Sequence, residues 1–168
     1  MRLPAGARAP DIWARAAELR VPVTSLGSPD AFSAPSFREN LETMGDVPVI
    51  IEHLGGMKAD CDRAVREAVF ALAAHPNAHM KIHGLGEFCR RNMPVTSPFP
   101  FDRDDVPLLH EAHGAFGPDR LMWGSDYPPV SGREGYANAL RLTMDQFPSE
   151  DDRRSIFGGT AARVYGLT

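Results

Sequence analysis

Cysteine is scarce in this chain, with only Cys61 and Cys89 among 168 residues. The pair lacks CxxC spacing and ligand-rich neighbours, so it reads as two free thiols in a reducing compartment rather than a disulfide framework. Lysine is scarcer than expected beside arginine, occurring only at Lys58 and Lys81. No apolar run is long enough to cross a bilayer. The first ten residues carry arginine but no apolar core, which excludes a secretory signal there. A cytoplasmic location is the resulting expectation. Net charge is −4 and the sequence pI about 5.8, so nothing electrostatic points to nucleic acid or an anionic membrane as a partner. There is no internal repeat and no low-complexity tract. Gly84-Leu85-Gly86 is not a phosphate loop, because Cys89 stands where a GxGxxG pattern needs its third glycine. Ser125 has no GxSxG elbow around it, which argues against a serine hydrolase.

What is present is ordinary globular material, 43% hydrophobic and 24% charged, enough for one domain with a real core. Short β-branched runs alternate with charged, alanine-rich amphipathic stretches, the pattern of βα units on a parallel sheet. Helices are expected over 10–19, 36–44, 60–74, 105–115, 135–146 and 149–165, the last broken around Gly158 and Gly159. Strands are expected over 21–25, 47–53, 78–83 and 120–124, with 1–5 as the stub of one more. The stretch 28–35, rich in Ser, Pro and Asp, reads as a loop. The stretch 92–105 holds three prolines beside Phe99 and Phe101, and reads either as a lid or as a phenylalanine-anchored packing loop.

Strand parity points to the chemistry. Side chains alternate along a strand. Val49, Ile51 and His53 share one face of the second strand. His79, Lys81 and His83 share a face of the third, and Met122, Gly124 and Asp126 a face of the fourth. The sets ending in His53, His83 and Asp126 are expected to point inward. Each of these residues is last in its strand, where parallel α/β sheets build active sites. Neighbouring strands lie ~4.8 Å apart, so all three reach one small substrate. His79, at the start of its strand, reads as structural. His75, His110 and His113 lie at helix ends and read as solvated or capping residues. Asp126 before Tyr127-Pro128-Pro129 also fits a side chain that caps its own turn.

Several segments resemble one family. RLMWGSDYP (120–128), following AFGPD (115–119), is similar to the last-strand motif of the amidohydrolase-related family. PVIIEHLGG (48–56) is similar to its sixth strand, RLPAG (2–6) to its fourth, and IFGGTAARVYGL (156–167) to its closing helix, with Thr160 where asparagine is usual. The resemblance implies an α/β fold, the carboxyl-terminal part (about strands 4–8) of a TIM-type (β/α)8 barrel. It implies one partial barrel domain over 1–168. It also carries over Asp126 as the metal-binding or water-activating aspartate and His53 as the group that orients substrate or water, or ligates metal. The expected activity is hydrolysis of a small lactone, ester or amide, with the 92–105 loop covering the substrate. The alternatives are a non-oxidative decarboxylase of the same family and an inactive half-barrel that serves as an assembly module. An open half-barrel would expose a sheet edge and its inner face.

Departures from the family bear on the cofactor. The chain has no His-x-His strand, and Leu26 and Ser25 stand near the place of the fifth-strand histidine. No metal ligand set is therefore complete, and a divalent metal such as zinc is expected only if amino-terminal ligands are supplied. His83, Arg90, Arg91 and Tyr127 complete the candidate site as substrate-binding residues. Arg90 and Arg91 could clamp a substrate carboxylate, although their composition fits a solvated ion-pair face better. The expected partners are a small-molecule substrate and either a second copy of the chain or a complementing amino-terminal half.

Overall fold

A computed structural model describes residues 9–88 and 106–167. Four strands alternate with helices in chain order: α1 (Ala9–Glu18), β1 (Val23–Ser25), α2 (Pro29–Ser33), α3 (Pro35–Met44), β2 (Val49–Ile51) and α4 (Arg63–Phe70) come first. After them come β3 (Ala78–Ile82), α5 (Pro107–Phe116), β4 (Leu121–Trp123), α6 (Tyr136–Met144), α7 (Glu150–Arg154) and α8 (Thr160–Tyr165). The strands form one parallel sheet in the order β1-β2-β3-β4. The α/β reading of the sequence therefore holds. Among the described residues no helix is long and apolar enough to cross a membrane.

Local chemistry explains where the elements stop. The 28–35 stretch is not wholly loop, because Ser28 Oγ accepts the Ala31 N–H at 3.3 Å and Pro29 occupies the first turn of α2. The helix expected from residue 60 starts at Arg63, where Asp62 caps the Ala64 N–H at 2.8 Å. Strand β2 ends at Ile51, two residues short of expectation, because His53 and Leu54 adopt left-handed backbone at φ 53° and 52°. Gly55 continues that turn at φ 67°, and a Cβ there would lie 2.8 Å from Val69 Cγ1.

The register corrects one parity assignment. Val49 pairs with Ala78, Ile51 with Met80, Met80 with Leu121, and Ile82 with Trp123. All of these lie in or against the core that helices α3, α4 and α5 build with Leu41, Val69, Leu109 and Ala112. Val49 and Ile51 therefore face the helices, not the interior. The other face of the sheet carries Thr24, Ile50, His79, Lys81 and Met122 in register. For β3 and β4 the expected inner sets are the observed ones. The inner face is not an exposed apolar surface at its two large hydrophobes, since Ile50 is 0% and Met122 1% exposed. The Tyr165 hydroxyl of α8 reaches the same face, 3.5 Å from Thr24 Oγ1.

His79, low on that face, has Nδ1 3.1 Å from the Asn77 carbonyl. Burial pushes its pKa below the ordinary value near 6.5, and the Arg120 and Arg163 charges push the same way against the Asn77 hydrogen bond. A histidine that is harder to protonate folded than unfolded leaves the unfolded chain with more bound protons at mildly acidic pH. Stability then rises with pH through that window and falls as pH drops below the unfolded value of about 6.5. Thermal melts between about pH 5 and 7 are expected to show a shallower pH slope for His79→Gln than for the parent. An identical slope would remove His79 from the linkage.

Candidate active site

The carboxyl ends of β2, β3 and β4 open onto one hollow of about 460 Å³, lined by Glu52, His53, Lys81, His83 and Asp126. Each strand contributes for its own reason. On β2 the inner-face alternation through Ile50 brings Glu52, not His53, to the interior. His53 still reaches the mouth, because its left-handed backbone swings the chain across the end of the strand. Asp126 is the other site residue with left-handed backbone, at φ 53°. Neither residue type adopts this conformation without cost, and the surrounding contacts hold both there.

The two imidazoles stack, with centroids 3.8 Å apart and planes 17° from parallel. The His53 backbone N–H donates to His83 Nε2 at 3.1 Å. That bond requires a lone pair on Nε2, which puts the proton of neutral His83 on Nδ1. Glu52 Oε2 lies 3.6 Å from the same Nε2, a separation too long for a hydrogen bond. The other Glu52 oxygen takes the Lys81 ammonium at 2.5 Å. Lys81 has room because Gly124 of the neighbouring strand lacks a side chain, and a Cβ there would come within 2.8 Å of Lys81 Cδ.

Asp126 does not cap its own turn. Ser125 does, its Oγ accepting the Tyr127 N–H at 3.3 Å, so the serine that lines the mouth is occupied there. The Asp126 carboxylate instead takes Arg133 Nη1 at 2.8 Å on Oδ2, while Oδ1 faces His53 Nε2 across 3.9 Å. That gap exceeds a direct hydrogen bond. Tyr127 lines the rim and is largely exposed. His53, His83, Asp126 and Tyr127 thus come together, whereas Arg90, Arg91 and the 92–105 stretch lie outside the described residues. His113, expected to be solvated or capping, is half-buried against Phe147 with Nε2 2.9 Å from Asp152 Oδ2.

The sequence reading missed Glu52, Lys81 as a site residue, Arg133 and Glu134. Lys81 carried a signal, being one of two lysines and lying on the inner face of its strand. Glu52 carried none, because the left-handed turn that reverses the parity of β2 is a tertiary outcome.

Glu52, His53 and His83 offer donor atoms within 4.8 Å of one another and form the cluster best able to hold a metal ion among the described residues. Two of these donors already have partners: the Lys81 ammonium takes one Glu52 oxygen and the His53 backbone N–H takes His83 Nε2, so an ion bound here would use the second Glu52 oxygen and compete for or avoid His83 Nε2.

The chain is similar to several known proteins. The chain is 34% identical over 106 residues to an L-fucono-1,5-lactonase of Burkholderia ambifaria, covering 60% of this chain and 34% of that protein. It is 27% identical over 131 residues to a 4-sulfomuconolactone hydrolase of Hydrogenophaga intermedia, covering 71% and 39%. It therefore spans about a third to two fifths of the length of these curated relatives. An amidohydrolase of Burkholderia multivorans crystallised with HEPES superposes with a TM-score of 0.73 at 25% identity, covering 94% of this chain and 57% of that one. A zinc-bound crystal form of the amidohydrolase gives 0.72 at 25%, covering 96% and 58%. The amidohydrolase family model matches residues 2–167, and the chain belongs to the amidohydrolase family.

Proposed function

We propose that this site hydrolyses a small lactone, with Asp126 as the base that activates water. The observation that carries the reading is the division of labour on one carboxylate. Arg133 holds Oδ2 at 2.8 Å, and Oδ1 is turned toward His53 at the mouth of the hollow. Relatives named for two chemically different lactones support the substrate class. Water placed between Asp126 Oδ1 and His53 gives its proton to Oδ1 as its oxygen attacks the lactone carbonyl carbon. The carbonyl oxygen becomes an oxyanion, which the Lys81 ammonium and the His53 ring stabilise. The tetrahedral intermediate then breaks its ring C–O bond, and the leaving alkoxide takes the proton from Asp126. One water is consumed and one hydroxy acid forms, and Asp126 returns to its starting state.

The four strands are part of the same proposal. The chain supplies the later part, about strands four to eight, of a (β/α)8 barrel in a single partial barrel domain over 1–168. The rest of the wall comes from a second copy or a complementing amino-terminal half. The open order of the four strands among the described residues and the 57% coverage of the structural relative support it.

A pH-stat assay of the assembled protein with L-fucono-1,5-lactone and other sugar lactones, with and without EDTA, tests the reading. Acid release that EDTA leaves unchanged is the expected result. Failure to open any lactone would end the proposal, and activity lost to EDTA and restored by zinc would replace its metal-free step.

A further inference from the structure

Gly84-Leu85-Gly86 has no role in the scheme above, yet it faces a buried charge. Glu134, on the loop after β4, has a side chain with 0% exposure. Its carboxylate sits on the two glycines, and a Cβ at either Gly84 or Gly86 would collide with a Glu134 oxygen. Glu134 Oε2 accepts Arg133 Nε at 3.3 Å, while Oε1 has no hydrogen-bond partner among the described residues. Arg133 in turn donates Nη1 to Asp126 Oδ2. The Asn138 side chain fixes the Glu134 carbonyl at 2.9 Å, and Thr143 Oγ1 of α6 binds the His83 carbonyl at 3.3 Å, so the loops after β3 and β4 are tied together around this carboxylate.

A buried carboxylate with one unsatisfied oxygen is costly, and an apolar side chain would pack the same space without that cost. The retained charge needs a reason. A guanidinium is planar, and two anions on different edges fix both its position and its tilt. Asp126 supplies one anion and Glu134 the other. We infer that Glu134, seated on Gly84 and Gly86, is a positioning residue that acts through Arg133 to aim the Asp126 carboxylate. The inference rests on the reading of Asp126 as the catalytic base. Without Glu134, Arg133 keeps its charge but loses its angle, and Oδ1 no longer holds its place opposite His53.

Two measurements test this on the intact chain. Steady-state kinetics on a lactone should show Glu134→Gln and Gly86→Ala lowering kcat by about tenfold to a hundredfold with KM little changed, the signature of displaced reacting groups. Free guanidinium should restore part of the activity of Arg133→Ala and none of that lost in Glu134→Gln. A well-folded Glu134→Gln protein with kcat within about twofold of the parent would overturn the inference. The second readout needs no turnover, and so separates this inference from the lactonase reading. By nitrogen-15 NMR the Arg133 Nε–H should be protected from exchange in the parent and exposed in Glu134→Leu, which removes the acceptor that a glutamine would keep. Equal protection in both proteins would also overturn it, even if no lactone is ever found to react. Parent turnover with no effect of Glu134→Gln sinks the positioning role alone, whereas absent parent turnover with lost protection sinks only the lactonase.

Discussion

Asp126→Asn is expected to lower kcat on a lactone by about 10²- to 10⁴-fold, the range that loss of a positioned general base produces. The amide nearly preserves the shape of the carboxylate, so the fold around it has little reason to change. What disappears is the ability to accept a proton from water. The Arg133 guanidinium, 2.8 Å from Oδ2, also loses its charged partner, although an amide oxygen can still accept that hydrogen bond. KM should move much less than kcat, because the base acts as the transition state forms. Steady-state kinetics with a matched thermal melt checks both halves of the expectation. Full turnover by a folded Asp126→Asn protein would remove Asp126 from the chemistry.

The second large effect concerns Lys81, and it appears in both stability and rate. Lys81 and Glu52 are 20% and 13% exposed and lie 2.5 Å apart, so removing the ammonium strands a mostly buried carboxylate. Breaking a fully buried pair costs about 3–5 kcal/mol. Partial exposure lets solvent recover some of that, and about 1–3 kcal/mol is expected for Lys81→Met in urea titrations. Adding Glu52→Gln to Lys81→Met should return part of the loss, since the stranded charge is then gone. Activity should not return with it. The double variant lacks the cation proposed to stabilise the oxyanion, so kcat/KM stays low while stability recovers. Recovery of both together would mean that Lys81 acts only on the fold.

These predictions turn on residues that differed greatly in legibility. Asp126 was readable from GSDYP and from its parity with Met122 and Gly124, and the inner face of β4 is as that parity requires. His53 was identified from its place at the end of β2, although for a wrong reason. Parity put it on the side of Val49 and Ile51, which belong to the helix-facing core. Two consecutive left-handed residues return it to the mouth, and alternation rules do not foresee such a turn at a histidine and a leucine. Arg133 lies seven residues beyond Asp126 in a loop of ordinary composition, so nothing local distinguishes it from any surface arginine.

The order of residues by itself settled the βα alternation, the parallel sheet, the family and the aspartate at the end of the last strand. Each of those depends on periodicity or on a short contiguous motif. Only the three-dimensional arrangement decided that Glu52 meets Lys81, that His83 receives the His53 N–H, and that Glu134 rests on two glycines some fifty residues earlier. Such contacts join different strands and loops, and they depend on register, twist and backbone reversal, which no local run of side chains encodes.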